Sequence, residues 1–298
     1  MKQTPWILAV CLLLFGGCHK ADETGTVQLR IGYSVNDGPL VCDTVCYANE
    51  AGNRFMVNEI QWFLSRLELQ DQAGDWIPFR DEDTIYYIDT DLPESHLLGS
   101  KPLPSGHYGA LRFTFGLDET DNVTGRFKNP PESNMFWPEP LGGGYHYMKL
   151  NGKWLNDEGI LVPVNIHLGV GQNATLTEFY PNHFTVELPL DLDLRTGQQD
   201  EIRLTMVIDN WFRNPHRYDF ATDGTAIMQN QAAQSKLREN GANVFTLQAT
   251  DNMKPLEDMK PLSEYGKQLM KLAAPKPHFM TWENLKDTFS NLNPENRP

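Results

Sequence analysis

Residues 27–35 read VQLRIGYSV, and every second side chain in this stretch is apolar or aromatic. A repeat of two is the pattern of a β-strand with one face buried and the other in water. The next four residues, Asn36-Asp37-Gly38-Pro39, are all of types that favour turns. The stretch therefore predicts a half-buried strand that ends in a tight turn.

The same pattern recurs along the chain, with turns rich in Gly, Pro and Asn between the runs. The further predicted strands are residues 55–69, 76–79, 84–88, 108–117, 145–150, 161–168, 183–190, 201–208 and 244–247. Residues 55–69 (FMVNEIQWFLSRLEL) predict a strand with a kink, but they also fit a helical spacing, so a helix is the alternative there. The fold class that follows is mostly β, with an antiparallel β-sandwich or a barrel-like body.

Residues 226–240 (AIMQNQAAQSKLREN) are the one stretch typical of a helix. Thr225 or Asp223 can cap its start, and Gly241 marks its end. After residue 247 the chain becomes rich in Pro and Lys and repeats the letters Met-Lys-Pro-Leu. We therefore predict a β domain over residues 27–247, with one helix late in the chain, and a C-terminal extension over residues 248–298.

The N-terminus predicts export. Residues 6–15 (WILAVCLLLF) are apolar, and Gly16-Gly17-Cys18 follows them. Such a run is too short to span a bilayer and has the form of a secretory signal, here ending like a bacterial lipobox. We expect residues 1–17 to be a lipoprotein signal peptide, Cys18 to carry lipid and residues 18–26 to be a linker. The alternative is an ordinary cleaved signal with an incidental cysteine.

Lipidation at Cys18 would attach the protein to a membrane and place it in the cell envelope of a Gram-negative bacterium. Residues 19–23 (HKADE) resemble the lysine-plus-acid signal that sends some lipoproteins to the cell surface. An ordinary solvated linker is the alternative for these residues. The expected location is therefore the outer membrane, with the protein facing the periplasm or the cell surface.

Charge and motifs exclude several classes of function. The chain of 298 residues has 25 Lys and Arg against 39 Asp and Glu, a formal net charge of −14. Because nucleic acids bind basic surfaces, we expect no nucleic-acid partner. The sequence contains no phosphate-binding glycine loop, no HExxH motif and no GxSxG motif. We therefore expect a non-catalytic protein.

Two cysteines, Cys42 and Cys46, remain after the predicted signal. A strand would hold two residues at this spacing about 13 Å apart, which is too far for a disulfide. In an irregular loop they can form a disulfide, and free thiols or a metal-binding pair are the alternatives.

Soft and aromatic side chains along three segments suggest a metal site: Met135, Trp137, His146, Met148 and His167. Imidazole binds copper, zinc and iron, and a thioether suits Cu(I), so this donor set favours copper. The donors meet only if the strands that carry them pair. The alternative is an aromatic core in which the histidines are hydrogen-bonded.

Ten short blocks, taken in their order, resemble the MbnP-like family of secreted copper-binding proteins. They are residues 47–57 (YANEAGNRFMV), 85–89 (IYYID), 103–108 (LPSGHY), 115–118 (FGLD), 134–137 (NMFW), 144–152 (GYHYMKLNG), 166–169 (IHLG), 211–215 (WFRNP), 227–231 (IMQNQ) and 244–247 (VFTL). No single block is specific, but their order is. The extension after residue 247 lies outside the resemblance.

The resemblance implies a β-rich secreted domain and, for some members, a Cu(I) ion held by two His and a Trp oxidised to kynurenine. In those members the oxidation is assigned to a partner di-haem peroxidase. Trp137 matches the Trp of the family's Met-Phe-Trp block, and His167 matches the His of its His-[Ile/Leu]-Gly block. His146 is the candidate for the second His by its local position. The family's Trp-x-Trp is incomplete here, because Pro138-Glu-Pro140 follows Trp137.

Two functions remain as hypotheses. The first is a cell-envelope lipoprotein that binds copper for acquisition or handling. The second is a surface-tethered binding module for glycan or protein, with stacking faces supplied by the rings of Trp137, Tyr145, Tyr147 and Trp154.

Overall fold

The computed structural model describes residues 23–249, except residues 82–83, 173–174 and 176. The predicted signal peptide, Cys18 and all but the first two residues of the extension lie outside the described residues. The strands in chain order are β1 (Thr24–Val35), β2 (Gly38–Pro39), β3 (Tyr47–Ala48), β4 (Arg54–Asp71), β5 (Trp76–Pro78), β6 (Ile85–Asp89), β7 (Leu97–Gly99), β8 (Leu103–Pro104), β9 (Gly106–Phe115), β10 (Met148–Leu155), β11 (Leu161–Leu168), β12 (Gly171–Gln172), β13 (Phe179–Tyr180), β14 (Phe184–Leu194), β15 (Gln199–Val207) and β16 (Phe245–Ala249).

The α-helix α1 spans Gln231–Asn240, and short 3₁₀ helices lie between strands. The 3₁₀ helices are Pro93–His96, Glu132–Met135, Glu139–Leu141, Ile208–Phe212 and Gly241–Asn243. None of the helices in the described part of the chain has the length and apolar character needed to span a membrane.

Two main sheets build the described domain. One runs in the order β11-β10-β4-β9-β14, and β3, β5 and β6 also pair with β4. The other runs β16-β15-β1-β2, and β7 and β8 also pair with β1. Over the described residues both paths stay open, so the body is not a closed barrel. The predicted mostly β fold with one late helix is confirmed, but the pairing of β1 with β15 is parallel, so the second sheet is mixed.

The core lies between the two sheets and is rich in aromatic rings. Phe245 of β16 packs against Trp62 of β4, with ring centroids 5.4 Å apart, and against Phe113 of β9 at 5.1 Å. The alternation predicted for residues 27–35 is observed, since Val27, Leu29 and Ile31 are all buried. Burial of such side chains is the main stabilising term for a domain of this kind.

The ambiguous stretch at residues 55–69 forms a strand, and its kink is a β-bulge at Arg66. Arg66 has a φ of 52°, and the register of β4 against β9 shifts between Ser65 and Glu68. The bulge directs the Arg66 guanidinium to Asp118, with Nε 2.6 Å from Oδ2, and to Asp121 at 3.0 Å. The helical alternative for this stretch is therefore wrong.

The helix begins later than predicted. Its N-cap is Asn230, whose side chain accepts a hydrogen bond from the backbone N–H of Ala233 at 3.1 Å. The residues just before it lie instead along the edge of β11, where Asn165 bridges to Ala226 and donates its backbone N–H to the carbonyl of Thr225. The prediction of Thr225 or Asp223 as the cap is wrong because this pairing holds the segment extended.

Candidate metal centre

A short antiparallel ladder brings Trp137 beside His146. Phe136 bridges to Tyr145, the Trp137 N–H donates to the Gly144 carbonyl at 2.8 Å, and the His146 N–H donates to the Met135 carbonyl at 2.6 Å. The turn between the two arms contains the 3₁₀ helix Glu139–Leu141 and three glycines with positive φ. The ladder therefore fixes the relative position of the indole and the imidazole.

Hydrogen bonds and close packing lock the Trp137 indole in place. Its Nε1 donates to the carbonyl of Leu141 at 3.0 Å, and the residue is fully buried. A Cβ built on Gly169 would lie 2.5 Å from Cε3 of the indole. Gly169 is therefore required where β11 ends, because any side chain there would displace Trp137.

The pairing of β10 with β11 adds His167 to the same cluster. Lys149 lies opposite His167 in the register, three residues after His146 in the sequence. The ring centroids of His146 and His167 are 5.1 Å apart, and those of Trp137 and His146 are 4.7 Å apart, with both pairs edge-to-face. The three residues that the sequence nominated therefore form one cluster.

His146 is buried, and one of its ring nitrogens has no partner. Its Nδ1 lies 2.9 Å from the Met135 carbonyl, which only accepts hydrogen bonds, so Nδ1 carries the proton. Its Nε2 is inaccessible to solvent and makes no hydrogen bond within the described residues. The pKa of His146 is lowered to about 3, mainly by burial. The hydrogen bond to Met135 raises this pKa, and the nearby His167 and Lys149 lower it. The imidazole is therefore neutral at neutral pH.

His167 is half-buried, and its ring is held by the side chain of Asn151. Its Nε2 lies 2.8 Å from Oδ1 of Asn151. Burial lowers the pKa of His167 to about 4, with a smaller contribution from Lys149. His167 also lines a cavity of about 370 Å³ with residues 226–229 and Asn165. The cluster thus reaches the surface at His167, while His146 lies deeper.

Met148 does not join His167 on its face of the sheet. Met148 pairs with Leu168 and precedes Lys149, so its side chain faces the core, opposite to Lys149 and His167. Met135 contributes its backbone carbonyl to His146, and its side chain is fully buried. The predicted inclusion of Met148 beside His167 is wrong for this reason.

The rings suggested for glycan stacking are not available at the surface. Trp137 and the other three rings, Tyr145, Tyr147 and Trp154, are all at least nine-tenths buried. A stacking platform needs an exposed ring face, so these residues cannot serve the binding-module hypothesis.

Cys42 and Cys46 lie in the irregular loop between β2 and β3, apart from the histidine cluster. Both are free thiols in this structure, and burial raises the pKa of each. The disulfide between them stays a prediction.

Sequence reasoning missed Lys149 and Asn151, which lie beside His167, and Glu59, which is hydrogen-bonded to Asn151. Lys149 Nζ donates to the Asn134 carbonyl at 2.7 Å, and Asn151 Nδ2 donates to Oε2 of Glu59 at 3.3 Å. Their outward positions on β10 and β4 follow from strand alternation, but their closeness to His167 depends on the register between strands.

Comparison with known proteins identifies the family and the fold. A sequence model of the MbnP family matches residues 24–230. The chain belongs to the MbnP family. Among solved structures, MbnP from Methylosinus trichosporium superposes with a TM-score of 0.53 at 14% sequence identity, covering 76% of this chain and 99% of that one. At this identity the match concerns the MbnP fold alone. Comparison with curated protein sequences gave no match.

Proposed function

We propose that this MbnP family member binds copper, with His146 and His167 as ligands and Trp137 beside them. The observation that carries the proposal is the buried, unpaired Nε2 of His146, on a ring that packs edge-to-face with a second imidazole and an indole. A buried polar atom without a partner costs roughly 1–3 kcal/mol, so its retention in the core calls for a ligand.

The protonation states of the two histidines fit a metal site. Metal binding requires an unprotonated nitrogen, and both pKa values lie well below neutral. One nitrogen of each ring is hydrogen-bonded to an oxygen acceptor, which is Met135 O for His146 and Asn151 Oδ1 for His167. The other nitrogen of each ring therefore keeps a free lone pair. Such outer contacts commonly set the tautomer of metal-ligating histidines.

The spacing of the rings also fits. Metal–nitrogen bonds are about 2 Å, so two imidazoles on one ion have centroids roughly 4.5–6 Å apart. The observed separation of 5.1 Å lies in this range. Two neutral imidazoles lie next to an aromatic group, and within the described residues neither ring is hydrogen-bonded to a carboxylate. Such a set suits a soft ion, and we therefore propose Cu(I) over zinc.

The role that we propose is copper acquisition or handling, without catalysis. Bound copper would supply no reaction of its own; the chain would hold it until it is transferred. Following the family resemblance, we propose Trp137 as the residue that a di-haem peroxidase partner oxidises. Phe136, the neighbour of Trp137, is 52% exposed and gives such a partner a place to approach.

Titration with Cu(I) in competition with a chromophoric chelator tests the site. The parent protein should bind one ion and melt at a higher temperature when loaded, because copper binds the folded state alone. His167→Ala should abolish this stabilisation and His146→Ala should weaken it. His107→Ala is the control, since His107 is an exposed histidine on β9 that pairs with Asp193.

Equal copper uptake by His167→Ala and the parent would overturn the assignment. Equal affinity of the parent for zinc and for Cu(I) would overturn the choice of metal. The intact mass of protein purified from its native host reports whether the protein is oxidised, and the mass of the peptide that contains Trp137 shows whether the change is there.

We propose that the protein is anchored in the cell envelope through lipid on Cys18. The lipobox-like ending of the signal supports this location. Cys18→Ala should release the protein into the soluble fraction of the envelope. Retention of this variant in the membrane fraction, with the signal cleaved, would contradict the anchor.

A further inference from the structure

A polar row on one face of the eight-stranded sheet leads from Glu59 to His167. Asn151 lies between them: it pairs with Glu59 of β4 on one side and with Asn165 of β11 on the other. Asn151 Nδ2 lies 3.3 Å from Glu59 Oε2, and Asn151 Oδ1 lies 2.8 Å from His167 Nε2. The three side chains therefore form a continuous hydrogen-bonded chain.

Glu59 fixes which groups donate and which accept in this row of hydrogen bonds. A carboxylate only accepts hydrogen bonds, so the amide group that faces Glu59 must be the NH₂ of Asn151. The amide oxygen then faces His167 and accepts, so Nε2 of His167 must carry the proton. The nitrogen left with a lone pair is Nδ1. Glu59 itself is anchored, because its Oε1 accepts from Nε2 of Gln61 at 2.9 Å.

The same argument gives His146 the opposite tautomer. There the Met135 carbonyl accepts from Nδ1, and the lone pair is on Nε2. The cluster thus joins two histidines of opposite tautomer, one set by the backbone and one set by a side chain. Only the second can be changed by substitution without altering the ladder that holds Trp137.

We propose that Glu59 and Asn151 are positioning residues of the metal centre, which act through His167 by holding its Nδ1 unprotonated and its ring fixed. The positioning role rests on the proposed copper function, because it takes Nδ1 of His167 as the atom that binds the metal. The tautomer itself is a property of the metal-free protein and can be measured alone. Loss of a residue in this position relative to a metal ligand commonly lowers metal affinity about 10–100-fold.

Long-range ¹H–¹⁵N spectra of protein labelled at histidine, recorded without metal at pH 7, identify the tautomer of each ring. In the parent we expect the Nε2–H tautomer for His167 and the Nδ1–H tautomer for His146. Asn151→Leu should give a mixture at His167 and leave His146 unchanged. Its Cu(I) affinity should fall about 10-fold or more.

Glu59→Gln and a double variant test the direction of the chain. In Glu59→Gln the neighbour can donate as well as accept, so the Asn151 amide can rotate and His167 should become mixed. In Glu59→Gln/Asn151→Asp the new carboxylate can only accept, so the Nε2–H tautomer and the Cu(I) affinity should return. Asn165→Leu is the matched control, since this exposed neighbour on β11 makes no side-chain hydrogen bond to His167.

The outcomes separate the two proposals. An Nδ1–H tautomer in the parent, an unchanged tautomer in Asn151→Leu, or no recovery in the double variant would overturn the positioning role, even if the parent binds copper. A parent that shows the expected tautomers but takes up no Cu(I) would overturn the copper function and support the orientation of His167. Unfolding curves of all variants show that each is folded before it is compared.

Discussion

Gly169 lies against the indole of Trp137, so closely that a Cβ at this position would come within 2.5 Å of Cε3 and within 2.7 Å of two further ring atoms. Gly169 follows His167 by two residues, at the end of β11. This contact therefore couples the packing of the indole to the end of the strand that carries His167.

Gly169→Ala should lower the free energy of unfolding by about 2 kcal/mol, because the added methyl group must displace a fully buried ring. Urea denaturation measures the change, and the Cu(I) affinity should fall with it. Gly109→Ala is the matched control: Gly109 is exposed on β9, and its Cβ would meet no atom within 4 Å. Equal unfolding midpoints for the two variants would contradict the contact.

Mild acid should destabilise the metal-free protein. Burial lowers the pKa of His146 from 6.5 to about 3. The folded state thus binds this proton less well than the unfolded chain, so the stability that the neutral ring contributes is complete above pH 6.5 and is lost as the pH falls towards 3. At pH 5 the loss is about 2 kcal/mol.

His146→Gln should therefore lose less stability between pH 7 and pH 5 than the parent does. Denaturant unfolding at the two pH values gives the difference, and His107→Gln, at an exposed position, serves as the control. If the parent and His146→Gln lose the same free energy, then His146 is not the group that titrates.

Copper affinity should resist acid for the same reason. Protons compete for the ligand nitrogens only near the pKa values of about 3 and about 4. Cu(I) affinity should therefore change little from pH 7 to pH 5, whereas a short peptide with two histidines loses affinity as its rings protonate near pH 6.5. Competition titrations at the two pH values compare them, and a parallel loss would contradict a buried pair.

The extension after β16 should be dispensable for folding. The last strand of the described residues ends at Ala249, which pairs with Ile202 of β15. Truncation after Ala249 should leave a cooperative thermal transition within a few degrees of the parent. Truncation after Val244 is the comparison: it removes Phe245, which packs against Trp62 and Phe113, and should lower the melting temperature strongly. A non-cooperative melt of the first truncation would contradict the boundary.

Sequence alternation predicted most strands because apolar and polar residues alternate along a half-buried strand. It did not predict the parallel partner of β1, since pairing between distant segments leaves no local pattern. The helix start was wrong at Thr225 because a tertiary contact with Asn165 overrides local preference. The kink in β4 was predicted, but its position at Arg66 depends on ion pairs with residues far along the chain.

The residues of the candidate site were also predicted only in part. Trp137, His146 and His167 were found from residue chemistry and from short blocks that resemble a family. Asn151 and Glu59 were not, because the predicted strand 145–150 ended before Asn151 and the stretch that holds Glu59 also fitted a helical spacing. What the sequence lacks is the register that sets Asn151 opposite Glu59, and a shift of one residue would point these side chains to the other face.

The parallel pairing of β1 with β15 has a consequence for the order in which the protein is made. Gln28 lies opposite Glu201, and Ile31 lies opposite Leu204. β1 is synthesised before β15, so the edge of β1 that pairs with β15 stays uncovered until β15 has been made. An apolar strand with an open edge is prone to pair with other chains. In this topology, β1 is protected from such pairing only after most of the domain has been synthesised.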